Sequence, residues 1–222
     1  MSDTPAPFDY QPPQDPWLTI LHRDEDLLVL SKQSGLLCVA GKPAGHQDCL
    51  EARAKTRFPQ ALLVHRLDRD TSGIVVMAMN AKAQRHLGLQ FERRKLKKTY
   101  IARVWGHVAG ESGTIDLPLA TDWPNRPKQK VDFVSGRAAQ TDWQVIAREA
   151  EVTRLKLTPL TGRSHQLRVH MLSLGHPILG DRFYAPGPAL AAADRLQLHA
   201  EALELHHPSD GRLCRFNDPA PF

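Results

Sequence analysis

The chain is poor in cysteine, in long apolar runs and in low-complexity sequence. Three cysteines (Cys38, Cys49, Cys214) occur among 222 residues, none in a Cys-x-x-Cys pair. An odd count without that spacing argues against a disulfide framework and a cysteine-based zinc site, and fits a reducing cytoplasm. No apolar run approaches the ~18–20 residues a bilayer span needs, so no membrane partner is expected. Residues 1–16 carry five prolines and lack the basic and apolar segments of a secretory signal. Among the eleven histidines, His165 and His170 are five apart, about 140° around a helix of ~3.6 residues per turn, which is not a zinc-binding spacing. His206 and His207 run into Pro208. No metal is expected. There is no internal repeat and no Gly/Ser linker.

Hydrophobic residues make up 41% and charged residues 24%, enough to bury a sizeable core and too balanced for global disorder. The length fits one large domain or two small ones at ~100–200 residues each. The formal net charge is +5 and the pI about 9.3, and the positive charge is clustered. Arg93, Arg94, Lys95, Lys97 and Lys98 form one run, and Arg126, Lys128 and Lys130 a second. Taken singly such runs are ordinary solvated surface. Two of them in a basic chain point to a polyanionic partner, namely nucleic acid.

The pattern predicts an irregular arm over 1–16 and a single folded unit over 17–222. Strands are expected over 17–21 and 27–30, then a helix capped by Asp48 and ending near Pro59. Short strands follow over 64–67 and 74–79. Asn80 is placed to cap a helix whose Ala83, Leu87 and Phe91 recur at i+4. Strands are expected over 98–105, 114–117, 131–134, 138–146, 152–157 and 196–205. Between the last two lie a helix over 164–174, ended by Gly175, and a short one over 189–193. Strands outnumber helices without alternating with them, which disfavours a doubly wound parallel sheet. The fold class expected is α+β, with one curved, mainly antiparallel sheet flanked by a few helices.

Three segments concentrate polar chemistry. In 64–73 a strand enters a turn bearing Asp68 and Asp70 among arginines. Asp, Thr, Ser and Gly are ordinary turn residues, but flanking cations keep a carboxylate ionised, which suits a nucleophile or base. Asp68 and Asp70, two apart in an extended segment, point to opposite faces and do not make a glycosidase pair. Asp-Thr-Ser-Gly occurs once, whereas an aspartic protease needs two such carboxylates. The segment 161–170 spans a helix start, where backbone N–H groups can hold an anion. There Arg168 lies about 100° off the Leu167–Met171–Leu174 stripe, either facing a cleft or snorkelling to solvent. In 97–104, Tyr100 sits in a strand beside the basic run, as a core aromatic or as a stacking surface for a base.

His65-Arg66-Leu67-Asp68 with Thr71-Ser72-Gly73, Lys98-Thr99-Tyr100, and 162–170 (Gly-Arg-Ser-His-Gln-Leu-Arg-Val-His) resemble, in order, three motifs of the RluA-type pseudouridine synthases. Residues 175–181 and Leu198-His199-Ala200 match as well, so the resemblance runs from about Trp17 to Leu205. It implies an isomerase that detaches a uracil already in RNA, rotates it and rejoins it through C5, without cofactor, metal or energy source. It implies that Asp68 is the essential carboxylate and that Arg168 keeps it ionised. Tyr100 packs on the target base and assists removal of the C5 proton, and Arg66 flips the uridine out. His65, Arg163, Arg93, Arg94, Lys95, Lys97, Lys98, Arg126, Lys128 and Lys130 are the expected RNA contacts. Likeness to the short members of the family implies stem-loops of 23S ribosomal RNA and of transfer RNA (the anticodon stem-loop) as targets. Some sixteen residues before the first strand leave no room for an accessory RNA-binding domain. A monomer in the cytoplasm is expected. The competing reading is a non-catalytic RNA-binding protein on the same fold.

Overall fold

The structure, a computed structural model, describes residues 10–222. In chain order its elements are β1 (Thr19–Arg23), β2 (Leu27–Lys32), α1 (Leu50–Arg57), β3 (Leu62–Leu63), β4 (Ser72–Ala78), α2 (Ala81–Glu92) and β5 (Lys97–Trp105). Then come β6 (Ser112–Asp116), β7 (Leu119–Thr121), β8 (Gln129–Val131), β9 (Gln140–Glu149), β10 (Val152–Pro159), α3 (Gln166–Ser173), α4 (Gly187–Ala191), β11 (Leu198–His206) and β12 (Leu213–Asn217). Ten strands form one sheet in the order β1-β2-β4-β11-β5-β10-β9-β6, with β3 on β4 and β12 on β11, while β7 and β8 make a separate hairpin. Every pairing in the ten-stranded sheet is antiparallel except β4 with β11. The α+β architecture is the one the sequence predicts.

Leu27–Leu30 of β2 and Ile74–Ala78 of β4 are unbroken apolar runs because both sheet faces are covered there. Successive side chains alternate between faces. Leu28, Leu30, Val75 and Met77 pack with Leu50 and Ala54 of α1. Leu27, Val29, Ile74, Val76 and Ala78 pack with Ala83 and Leu87 of α2. Each such buried Leu or Val contributes about 1.5–3 kcal/mol. Asn80 caps α2 as expected, its side chain accepting the Ala83 N–H at 2.8 Å. A further core joins β5, β10, β11 and α3, and Tyr100 packs against both it and the α1 core. Tyr100 therefore stands at the seam between the two halves of the sheet.

Four expectations need correction. Asp48 does not cap α1; Cys49 does, because the Asp48 carboxylate is taken by buried Arg53 at 2.6 and 2.7 Å. No strand covers 64–67: β3 ends at Leu63, and the chain beyond it has no ladder partner. The helix expected from 164 starts at Gln166, because His165 adopts the left-handed conformation (φ 53°). The strand expected over 131–134 ends at Val131, β8 running from Gln129, because the Asp132 carboxylate turns the chain by accepting the Val134 and Ser135 N–H groups; β12, which adds to β11, is a strand not expected at all. Of the arm expected over 1–16, residues 1–9 lie outside the described residues. Residues 10–16 form no helix or strand, but the Tyr10 hydroxyl donates to Asp48 O at 2.7 Å and accepts the Leu37 N–H at 3.0 Å.

Two features hold the loop between β3 and β4. Gly73 lies at φ +108°, and a Cβ there would stand 2.3 Å from the Ala200 carbonyl oxygen. Only glycine allows β4 and β11 to meet there. Lys32 is 1% exposed, and its Nζ donates to the carbonyls of Gln33 (2.8 Å), Leu36 (2.7 Å) and Arg69 (2.7 Å). Burial pulls its pKa down to about 8, and the three carbonyls favour its charged form. Lys32→Met would leave the Gln33 and Leu36 carbonyls without that donor, while Arg69 O keeps the Gly35 N–H at 2.9 Å. At about 1–3 kcal/mol for each acceptor left unsatisfied, urea unfolding is expected to show a loss of about 2–4 kcal/mol. A midpoint equal to wild type would remove Lys32 as the anchor of this loop.

Candidate active site

Residues 64–71 cross the sheet surface with their backbone tied from below. Leu67 N–H donates to Cys38 Sγ at 3.2 Å, Arg69 O accepts from Lys32, and Thr71 N–H closes a turn on Asp68 O at 3.2 Å. This presents the Asp68 side chain, 30% exposed, toward α3. Arg168 comes from the first turn of α3 and is 2% exposed. It does not snorkel to solvent. Its Nε and Nη2 bind Asp181 in a two-bonded fork at 2.7 and 2.6 Å, leaving Nη1 directed at Asp68 Oδ2, 3.4 Å away. Burial opposes the Arg168 charge, but the Asp181 carboxylate overcomes it and the pKa lies above the ordinary arginine value. The rings of Phe183 and Tyr184 lie 5.1 and 5.2 Å from the guanidinium carbon. Asp181 also accepts the Phe183 and Tyr184 N–H groups, so the buried ion pair is hydrogen-bonded on both partners.

The open side of Asp68 faces a cleft of about 270 Å³ whose lining includes Arg66, Tyr100, Lys98, Arg163 and His165. Tyr100 reaches it from β5. Burial, then the Asp68 charge, push the Tyr100 phenol well above its ordinary pKa, so it meets a ligand as a protonated ring. Lys98 is held at the rim by a 3.4 Å contact with Thr161 O, and burial and Arg94 bring its pKa down to about 8. Arg163 donates to Ala138 O at 3.1 Å. Burial, then the Arg137 and Arg94 charges, lower its pKa. Arg66 is exposed at the mouth.

His65 lines the cleft but not as a cation. Its Nε2 accepts the Val76 N–H at 3.0 Å, its ring stacks on Phe91 at 4.5 Å, and burial pulls its pKa down to about 3. Asp70 pairs with Arg69 at 2.7 Å and lines a second depression with Ser34 and Arg182 rather than the Asp68 cleft; residues 69–70 form a turn, so the extended segment assumed for the opposite-face argument is not formed. Arg93, Arg94 and Lys95 lie exposed just after α2. Lys97 reaches Glu204 at 3.9 Å rather than the cleft. Arg126 lies over the Trp123 ring at 4.9 Å, and Lys130 sits 3.5 Å from Asp132. Both belong to the β7–β8 segment, with Lys128 between them. Sequence reasoning passed over Asp181, Phe183, Tyr184 and Arg137. Asp181 stood inside the 175–181 segment, and the Gly180 before it, which takes φ +67° in the structure, was the sequence signal for a tight turn.

Asp181→Asn keeps the shape of the side chain and removes its charge. Breaking a buried pair from one side costs about 3–5 kcal/mol, so a fall in Tm of about 10 °C is expected at ~2–4 °C per kcal/mol. Calorimetry that finds the wild-type Tm would mean that Arg168 does not depend on this partner.

Comparison with known proteins bears on the same residues. The family described as RNA pseudouridylate synthase matches residues 26–173. The chain is 55% identical over 214 residues to the dual-specificity RNA pseudouridine synthase RluA of Salmonella typhimurium, covering 96% of this chain and 98% of that one. It is 54% identical to RluA of Escherichia coli K12 over the same shares of the two chains. RluA of Vibrio vulnificus is 48% identical over 98% of this chain and 89% of its own. Among solved structures, human RNA pseudouridylate synthase domain containing 1 superposes with a TM-score of 0.77 at 29% identity, over 92% of this chain and 84% of that one. With the matched segment spanning the Asp68 loop, Tyr100 and Arg168, the chain belongs to the RNA pseudouridylate synthase family and is an isomerase of uridine in RNA.

Proposed function

We propose that this synthase acts on uridines in stem-loops of both 23S ribosomal RNA and transfer RNA, the anticodon stem-loop among them, with Asp68 as the reacting carboxylate. The observation that carries the reading is Asp68 at the floor of a basic cleft, 3.4 Å from an arginine that is itself fixed by a buried carboxylate. The similarity to relatives named dual-specificity RNA pseudouridine synthases supports the two RNA classes.

In the proposed reaction the N1–C1′ bond breaks, the uracil turns, C5 bonds to C1′, the C5 proton leaves and N1 takes one up. Atoms balance without a co-reactant. Attack of Asp68 on C1′ and removal of a C2′ proton both need an ionised carboxylate beside the ribose, and Arg168 Nη1 favours that form. The uridine must leave its stack to reach Asp68. Arg66 at the mouth takes the vacated space, and Tyr100 offers a ring face to the detached base. Lys98, Arg163 and Arg94 bind phosphates at the rim, and the 126–130 segment extends this surface.

Release of tritium from C5-labelled transcripts tests the assignment. Wild type is expected to release it from transfer RNA and from ribosomal stem-loops. Asp68→Asn should lower the rate by about 10²–10⁴-fold or more while still binding RNA. A mutant as fast as wild type would remove Asp68 from the chemistry, and stem-loop binding without release by wild type would favour the non-catalytic reading. Reversing Arg126, Lys128 and Lys130 to Glu should make the log Kd versus log salt plot shallower by about 2–3, at ~0.7–0.9 per phosphate contact. An unchanged slope would take that segment out of the interface.

A further inference from the structure

We propose that His165 and Tyr184 are positioning residues for Asp68: the Tyr184 hydroxyl fixes the tautomer of His165, whose Nε2–H joins Arg168 in holding Oδ2 and leaves Oδ1 to react. This rests on the reading of Asp68 as the reacting carboxylate.

The hydrogen-bond directions follow from the partners. The Gln129 N–H donates to Tyr184 Oη at 2.8 Å, so that oxygen is an acceptor there. Tyr184 Oη is 2.7 Å from His165 Nδ1. The Arg168 guanidinium beside the ring has no acceptor to offer. The phenolic proton therefore goes to Nδ1, and the ring proton sits on Nε2. Burial pushes the Tyr184 phenol up to about 12 and pulls His165 down against the opposing Asp68 charge, with Arg168 also lowering it. Both keep the donor and acceptor roles that the geometry requires. His165 Nε2 then faces Asp68 Oδ2 at 3.9 Å, the same oxygen that Arg168 Nη1 approaches at 3.4 Å. A distance of 3.9 Å is longer than a hydrogen bond. Such contacts tighten when substrate fills a site.

The ring has little freedom. His165 holds φ 53°, a conformation that a side chain with a Cβ disfavours. Its ring stacks on Phe183 with centroids 5.6 Å apart and planes 20° apart, and meets Tyr184 edge-on at 5.6 Å. A neutral imidazole adds a second donor to Asp68 without adding charge. The orientation of the carboxylate is then set by two donors on one oxygen. The relay also starts outside the cleft. Gln129 lies between Lys128 and Lys130 in β8, so a strand of RNA seated on that hairpin bears on the peptide N–H that holds Tyr184. Engagement of RNA there is transmitted to the orientation of Asp68.

Two measurements test this. In the full-length protein with ¹⁵N-labelled histidine, His165 is expected to show a protonated Nε2 and a bare Nδ1 near neutral pH, and Tyr184→Phe is expected to release that fixed tautomer. The opposite tautomer in wild type would overturn the relay whatever the activity. In single turnover on C5-tritiated stem-loops, His165→Phe and Tyr184→Phe should each slow the chemical step by about 10- to 100-fold, the scale of a reacting group misplaced by an ångström, with RNA Kd within about twofold. His165→Gln, which keeps an N–H donor near the position of Nε2, should recover most of the rate. Wild-type rates in these variants would overturn the proposal, as would a loss confined to Kd. Should His165→Phe fail to fold, Tyr184→Phe and His165→Gln decide alone. Asp68→Asn in the same assay separates the two claims. If it is active, the underlying reading falls; if only it is inactive, the relay falls.

Discussion

The buried pair between Arg168 and Asp181 is the constraint on which the rest of the site depends. Taking two charges out of water costs several kcal/mol per ion and is offset only by close geometry and satisfied hydrogen bonds. Here Asp181 gives both oxygens to the guanidinium and also accepts two backbone N–H groups, while two aromatic rings cover Arg168. An arginine held this way has one nitrogen left to offer in a fixed direction. That nitrogen faces Asp68, which sits one hundred residues away in sequence. The pair stabilises less than it organises: it turns a flexible cation into a stationary one.

Asp68 must be equally stationary, and its loop has no sheet ladder to hold it. Lys32 from β2 and Gly73 at the start of β4 supply the restraint. One captures the loop's carbonyls from beneath, and the other lets β4 meet β11 without a side chain between them. β11 pairs with β4 only through His199 and Ala200 and then continues against β12 from Ala202 onward. The same strand thus serves two partners, and the place where β4 joins it, at Ser72 and Gly73, is where the Asp68 loop ends. Tyr100 on the opposite neighbour, β5, touches the cores on both sides, which fixes the wall of the cleft to the same framework.

Much of this was legible in the residues. The apolar runs of β2 and β4 could only be central strands, and Asn80 ahead of Ala83 and Leu87 marked α2. The failures have physical reasons. Asp48 had the right chemistry for a cap, but a buried guanidinium five residues on competes for a carboxylate more strongly than a backbone N–H does. Arg53 also packs over Trp17 at 4.1 Å, which no local rule reveals. Residues 64–67 read as a strand because strand propensity ignores whether a partner is available. β12 is short and mostly exposed, so no buried face announces it, and it exists because β11 offers an open edge. At the site, Asp68, Tyr100 and Arg168 were picked out by motif order, whereas their juxtaposition belongs to the fold. Asp181 looked like part of a turn, since nothing in one dimension shows that a carboxylate is 0% exposed.

A cleft for a polyanion with a carboxylate on its floor has to reconcile two opposite demands. A cleft positive enough to collect phosphates sets cations around Asp68, while a neutral cleft would not hold the RNA. The structure separates the demands by depth. Arg66, Lys98, Arg163 and Arg94 lie at the mouth and rim, where water screens them from Asp68 and phosphates can reach them. At the floor, the nearest cation is largely answered by Asp181, so Asp68 meets an arginine whose charge is already shared. Further neutral donors at the floor orient Asp68 without tightening that electrostatic grip. The same division explains why Tyr100 and His65, both in the cleft, are kept uncharged by burial. Nearest Asp68 the protein uses shape and hydrogen bonds, with its one close arginine paired to Asp181, and it leaves the unpaired charge to the rim.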